Sequence, residues 1–129
     1  MTIYQKIIDI IEPCQKVQLF YLFGSRAAKA EVSPGADWDF ACYFDKELSI
    51  VEAQFLAFEL QAKLSSFLKT DAVDFVVMNG IKSIELAHAI IADGECLVDR
   101  HFDRDSFERH IQHEYQDHKM ALHRNGFKE

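Results

Sequence analysis

Leu22-Phe23-Gly24-Ser25-Arg26 ends one apolar run of the chain, and Asp37-Trp38-Asp39 begins another, with eleven residues between Ser25 and Asp37. An apolar run that ends in Gly-Ser predicts a strand followed by a tight turn, where glycine lets a phosphate approach the backbone closely. A helix that starts at Ser25 would present free N–H groups to phosphate oxygens, with the serine hydroxyl as a further donor. The stretch is therefore compatible with a phosphate-binding turn formed by Gly24 and Ser25, although a Gly-Ser pair by itself is also common in purely structural turns.

The second half of this pattern is a pair of carboxylates. On a strand, the side chains of Asp37 and Asp39 point to the same face, about 6.6 Å apart along the chain. Two carboxylates held in this way can bind the two divalent cations that a triphosphate requires. A strand with one solvated polar face would show the same pattern, so the pair alone does not decide between the two interpretations.

A third carboxylate, Asp74, interrupts a run that otherwise reads as a buried strand, Ala72 to Met78. A buried carboxylate without compensation costs several kcal/mol or takes up a proton. If this strand lies beside the strand of Asp37 and Asp39, the three carboxylates meet and a metal ion compensates them. The alternative is an edge strand that exposes Asp74 to water.

The apolar patterns along the chain predict alternating helices and strands. We expect strands at residues 17–23, 37–44, 72–78 and, at a sheet edge, 95–98, and helices at residues 3–14 (3–12 if Pro13 ends the first one), 25–30, 50–69, 81–92 and 106–123. Thr2 with Gln5 and Ser49 with Glu52 predict capping boxes, and Asp105 predicts the cap of the last helix. This order predicts a single α/β domain, residues 1–129, with a small mixed sheet flanked by helices.

Length, composition and charge argue against a membrane-spanning, a secreted or a nucleic-acid-binding protein. The 129 residues suit one domain, and no apolar run approaches the roughly 20 residues of a membrane span. The N-terminus lacks the pattern of a signal peptide, and three widely spaced cysteines indicate neither disulfides nor a zinc site, so we expect a cytoplasmic protein. A net charge of −7 argues against direct binding of long nucleic acid and is compatible with a basic protein partner.

Gly24-Ser25, Asp37-Trp38-Asp39 and Asp74 resemble the signature of the DNA polymerase β-like nucleotidyltransferase superfamily. The short chain resembles its minimal nucleotidyltransferases (MNT), and the segments at residues 73–79 and 89–98 are similar to those of the MNT antitoxins, which are paired with HEPN-domain RNase toxins. The resemblance covers roughly residues 17–98. The spacing before Asp37 is one residue longer than is usual in the family, and Ala36 stands where serine is common.

The resemblance implies a polymerase β-like fold and a two-metal transfer of a nucleoside monophosphate to a hydroxyl. By this analogy Asp37 and Asp39 bind two Mg²⁺ ions, Asp74 binds the catalytic ion and helps to deprotonate the hydroxyl, and Gly24 and Ser25 hold the β- and γ-phosphates. ATP is the expected substrate.

The same resemblance implies that the acceptor is a tyrosine of a cognate HEPN toxin, which AMP transfer would neutralise. We expect the partner to dock on the C-terminal helix, about residues 105–124, through a stripe at helical spacing; packing of this stripe on the domain itself is the alternative. The stripe comprises Phe107, Ile111, Tyr115, His118 and Leu122. Two other functions stay open: an antitoxin that acts by binding alone, and an enzyme with a small-molecule acceptor such as an aminoglycoside.

Overall fold

The computed structural model describes residues 1–28, 32–100 and 104–124, and every structural statement below refers to these ranges. Eight regular elements follow one another in the order α-β-β-α-β-α-β-α, with a short 3₁₀ turn, Gly24–Arg26, after the first strand. Their bounds are α1 Ile3–Ile11, β1 Val17–Phe23, β2 Trp38–Phe44, α2 Ile50–Leu68, β3 Val73–Val77, α3 Ile84–Asp93, β4 Glu95–Asp99 and α4 Arg104–Arg124. The predicted α/β fold with a small mixed sheet is confirmed.

The four strands form one sheet in the order β3-β2-β1-β4. Strand β1 runs antiparallel to both β2 and β4, whereas β2 and β3 are parallel. The end of β1 therefore lies beside the starts of β2 and β3, and these are the segments that carry the predicted site residues. Strand β3 is at the edge of the sheet and exposes Asp74, as in the edge-strand alternative of the sequence analysis, and it also lies beside β2.

The alternation of side chains along β2 separates the core into two layers. Trp38, Phe40 and Phe44 are buried against α1 and α2, and the ring of Phe40 stacks on Phe20 with 5.3 Å between centroids. Ala41, on the opposite face, packs in the second layer with residues of α3 and α4. Because Asp39 shares this second face, the strand that builds the core also presents a carboxylate away from its aromatic layer.

Local hydrogen bonds decide where the helices begin. The capping box of α2 forms as predicted, since Ser49 and Glu52 exchange both side-chain–backbone bonds. At α1 only half of the capping box forms. The Thr2 hydroxyl accepts a hydrogen bond from the backbone N–H of Gln5, but the Gln5 side chain donates to the Asp9 carboxylate and does not bond back to Thr2. Helix α1 ends at Ile11, as expected if Pro13 stops it.

Two predicted helix starts are wrong. Helix α3 begins at Ile84, capped by Ser83, because the three residues after Met78 form a turn in which the N–H of Ile81 bonds to the Met78 carbonyl. Asp105 does not cap α4, because the helix already includes Arg104 and the Asp105 carboxylate lies 3.5 Å from the guanidinium of Arg109, one turn further on.

The predicted helix at residues 25–30 is replaced by the 3₁₀ turn Gly24–Arg26. The N–H groups of Ala27 and Ala28 both donate to the carbonyl of Gly24, and this makes one turn that does not propagate through Ala28. Residues 29–31 lie outside the described ranges. No helix in the described part of the chain is long and apolar enough to cross a membrane.

Candidate active site

Three carboxylates meet where β1 ends and β2 and β3 begin. Asp39 is paired across the sheet with Phe23 of β1 on one side and with Asp74 of β3 on the other. Because paired residues of neighbouring strands point to the same face, Asp39 and Asp74 lie side by side. Asp37 is exposed and comes just before β2, although the sequence predicted that the strand would include it. The predicted approach of the strand of Asp74 to that of Asp39 is confirmed.

The electrostatics of this cluster centre on Asp39. Its partial burial raises the pKa of its carboxyl, and the negative charges of Asp74 and Asp37 and a hydrogen bond to Asp74 raise the pKa further. Asp74 itself is exposed on the edge strand. Like charges placed this close favour either a shared proton or a bound cation.

The donor set fits a magnesium ion in its chemistry, because hard divalent cations prefer carboxylate oxygens. Asp39 and Asp74 are held by strands, whereas Asp37 approaches from the preceding loop. Within the described ranges, however, no three His, Cys, Asp or Glu side chains are already arranged to hold a metal ion. The carboxylates are therefore neighbours that have to turn inwards to share a cation. The histidines of α4 that are described form no such group either.

Gly24 forms the wall of this site. It has a φ of +72°, the left-handed region that favours glycine, and a Cβ at this position would collide with Oδ2 of Asp39. Nothing larger than hydrogen therefore fits between the turn and the carboxylate. Ser25 is exposed on the turn directly after Gly24. The expected helix dipole is missing, because a three-residue turn has too few aligned peptide units.

Arg26 is a residue of the site whose contacts the sequence analysis missed. Its Nε and Nη2 donate to the carbonyl of Ala36 at 3.1 and 2.9 Å, and Nη2 also donates to the carbonyl of Pro34 at 3.2 Å. The guanidinium carbon lies 4.2 Å from the ring centroid of Trp38. An arginine directly after a Gly-Ser turn could equally contact a phosphate or pair with an acidic side chain, and the sequence does not indicate that it binds these carbonyls.

The apolar stripe of α4 packs on the domain. Ile111 is buried, the ring of Phe107 lies 4.5 Å from that of Tyr43, and Tyr115 stacks on His88 at 3.7 Å between centroids. His118 lies 3.2 Å from the carboxylate of Glu85 on α3. The stripe is thus used within the chain for most of its length. Docking of a partner on α4 stays a prediction, and it would have to use the helix's other faces.

The fold is that of a nucleotidyltransferase domain, and the acidic cluster lies beside its Gly-Ser turn. The chain belongs to the family described as "Polymerase beta, Nucleotidyltransferase", whose model matches residues 5–103. The family and fold predicted from the motifs are therefore confirmed. No curated protein sequence matches the chain.

Several solved structures are similar to it. A mutant of the MntA–HpeT toxin–antitoxin complex matches with 25% identity and a TM-score of 0.76, covering 95% of this chain and 94% of that chain. A toxin–antitoxin complex with AMP-PNP matches with 27% identity, a TM-score of 0.76 and the same coverage. A third, the tri-AMPylated HEPN toxin of Shewanella oneidensis in complex with its MNT antitoxin, matches with 27% identity and a TM-score of 0.70, covering 93% of this chain and 89% of that chain.

Proposed function

We propose that this chain is an antitoxin that transfers AMP from ATP to a tyrosine hydroxyl of a cognate HEPN-domain RNase toxin and so neutralises it. Two of the similar structures support this proposal, since one contains an AMPylated HEPN toxin with an MNT antitoxin and another contains AMP-PNP. The observation in this chain that carries it is the pairing of Asp39 with Asp74 directly beside Gly24.

In the proposed reaction, each site residue has a distinct task. Asp37, Asp39 and Asp74 hold two Mg²⁺ ions, and Gly24 and Ser25 hold the β- and γ-phosphates of ATP. Burial raises the pKa of the Asp39 carboxyl, and the negative charges of Asp74 and Asp37, which a bound cation would neutralise, raise it further. When bound, the ions supply charge neutralisation for the phosphates and for the leaving pyrophosphate.

The transfer forms a bond between the tyrosine oxygen and the α-phosphorus and breaks the bond from that phosphorus to the α,β-bridging oxygen. Pyrophosphate leaves, and the tyrosine proton passes to Asp74 and then to water. Asp74 suits this task because it is exposed on an edge strand, where an incoming protein side chain can reach it and its proton can leave. Positioning and charge stabilisation supply the acceleration.

A second candidate is an antitoxin that neutralises by binding alone. The finding that favours it is the lack, among the described residues, of three side chains already arranged around a metal position. The two candidates differ in one measurable product, since only the first adds AMP to the toxin.

The test is intact-mass spectrometry of the co-purified toxin after incubation with Mg²⁺ and ATP. With the wild type we expect the toxin to gain one or more AMP masses, on a tyrosine when its peptides are sequenced. With Asp39→Asn, which keeps the shape of the side chain but removes its charge, we expect no gain. Asp71→Asn is the matched control, because Asp71 is exposed two residues before β3 and takes no part in the cluster.

Each outcome assigns the function. An AMP gain with the wild type and Asp71→Asn but not with Asp39→Asn supports the enzyme. A complex that inhibits the RNase without any gain supports binding alone. Full transfer by Asp39→Asn would refute the assignment of the site.

A further inference from the structure

The three carboxylates are not held in the same way. Asp39 and Asp74 lie inside strands: Asp39 is paired with a neighbouring strand on each side, and Asp74, on the edge strand, is paired with Asp39. Asp37 precedes β2 and has no place in the strand ladder. A residue in such a loop needs another source of rigidity if its carboxylate is to share a cation with two strand residues, because metal ligation depends on placement to within a fraction of an ångström.

Both neighbours of Asp37 are anchored. On its N-terminal side, the carbonyl of Ala36 accepts two hydrogen bonds from the guanidinium of Arg26. On its C-terminal side, the N–H of Trp38 donates to the carbonyl of Ala72 at 2.9 Å, at the start of the segment that leads to Asp74. The two anchors meet, because the same guanidinium lies over the Trp38 ring, which is only 8% exposed.

We propose that Arg26 is a positioning residue that holds the backbone of the loop at Asp37, from where the Asp37 carboxylate can turn towards the metal ions of this site. Its bond to the Pro34 carbonyl holds the preceding turn as well, so one side chain fixes the loop from residue 34 to residue 38. The role of the metal in AMP transfer rests on the function proposed above, but the positioning itself is a property of the free protein.

Arginine has the shape that this task requires. Its planar fork donates in two directions at once and stacks face-on against an indole, which an ammonium group cannot reproduce. Arg26→Lys therefore keeps the charge but should hold one carbonyl at most. Arg26→Gln removes both the charge and the fork.

The experiment measures metal binding directly. The chain has one tryptophan, and it stands between Asp37 and Asp39, so excitation of Trp38 should sensitise the emission of a bound Tb³⁺ ion. Tb³⁺ is a hard cation that carboxylates bind. The midpoint of its titration reports the affinity for Tb³⁺ even if a substitution changes the fluorescence yield of Trp38. Binding of Mn²⁺, followed by calorimetry, gives a second measure that is independent of Trp38.

We expect Arg26→Gln to raise the half-saturating Tb³⁺ and Mn²⁺ concentrations about tenfold or more, the usual effect of removing a group that orients a metal ligand. Arg26→Lys should lie between this variant and the wild type, and it carries the test if Arg26→Gln does not fold. Arg109→Gln is the matched control, because Arg109 is exposed on α4 in a surface pair with Asp105. In the transfer reaction, the Mg²⁺ requirement should rise more than the KM for ATP.

Three results would overturn the inference. They are wild-type metal affinity in both Arg26 variants, a change no larger than that in Arg109→Gln, or a raised KM for ATP at unchanged metal affinity, which would make Arg26 a phosphate contact. If the wild type binds neither Tb³⁺ nor Mn²⁺, that result refutes both the metal site and the role of Arg26. If the wild type binds metal but transfers no AMP, the proposed function fails while the titrations still decide the role of Arg26.

Discussion

Gly24→Ala tests the closest packing in the site. The substitution forces alanine into the left-handed region at φ +72° and drives its Cβ into Oδ2 of Asp39. The backbone strain alone costs about 1–2 kcal/mol. For a domain of this size, that corresponds to a fall in melting temperature of roughly 3–8 °C. The collision adds a larger functional effect, because either the Asp39 carboxylate or the turn has to move.

We therefore expect AMP transfer by Gly24→Ala to fall at least about a hundredfold, the usual scale for a misplacement of about 1 Å at a reacting centre. The assay is transfer of label from α-labelled ATP to the purified toxin at saturating Mg²⁺, with thermal unfolding of the same preparation. Gly35→Ala is the matched control, since a Cβ on Gly35 meets no atom within 4 Å. Gly24→Ala with wild-type activity, or Gly35→Ala with an equal loss, would refute the reasoning.

Three further predictions concern charge, hydrogen bonding and titration. Asp39→Asn should raise the melting temperature of the protein in EDTA, because it removes a partly buried negative charge beside Asp74. The same substitution should lower AMP transfer at least about a hundredfold. A lower melting temperature in EDTA would contradict this prediction. Tyr21→Phe removes the 2.7 Å hydrogen bond from a fully buried hydroxyl to Glu108 and should lower the free energy of unfolding by about 1–3 kcal/mol, measured by urea denaturation; an unchanged midpoint would count against it. Burial raises the pKa of Cys96 to about 11, so its alkylation rate, measured by peptide mass spectrometry, should keep rising about tenfold per pH unit from pH 7 to 10. A rate that levels off above pH 9 would show that the thiol ionises normally.

The sequence predicts the strands well because their composition leaves few alternatives. The apolar run at residues 17–23 has the bounds of β1, and β2 differs from its prediction by one residue, at Asp37. The alternation of Trp38 and Phe40 with Asp39 also predicts which side chains enter the core. A carboxylate between buried aromatic residues is so costly in the core that the pattern itself indicates the face of the site.

The remaining features depend on contacts between distant segments. The approach of Gly24 to Asp39 arises from the register of β1 with β2, which no local pattern determines. Arg26 had several possible partners in the sequence, and the path of the loop selects Pro34 and Ala36. Helix α3 begins at Ile84, capped by Ser83, because the turn after Met78 uses Ile81, where the apolar pattern placed the start of the helix. The order of the strands, which leaves β3 at an edge, is likewise a tertiary property.

The alternation along β2 has a consequence for how such a chain can vary in length. Deleting or inserting one residue inside β2 would exchange its faces, so that Phe40 would turn toward the acidic cluster and Asp39 toward the aromatic layer. Deletion of a single codon within β2 would therefore lower both the stability of the protein and its proposed AMP-transfer activity. Insertions and deletions are tolerated only outside the strand, and the exposed turn Ser33–Gly35 is the nearest segment that can accommodate them. A deletion scan of the gene that is scored for folded protein, rather than for AMP transfer, should therefore show tolerance at this turn that ends at Trp38.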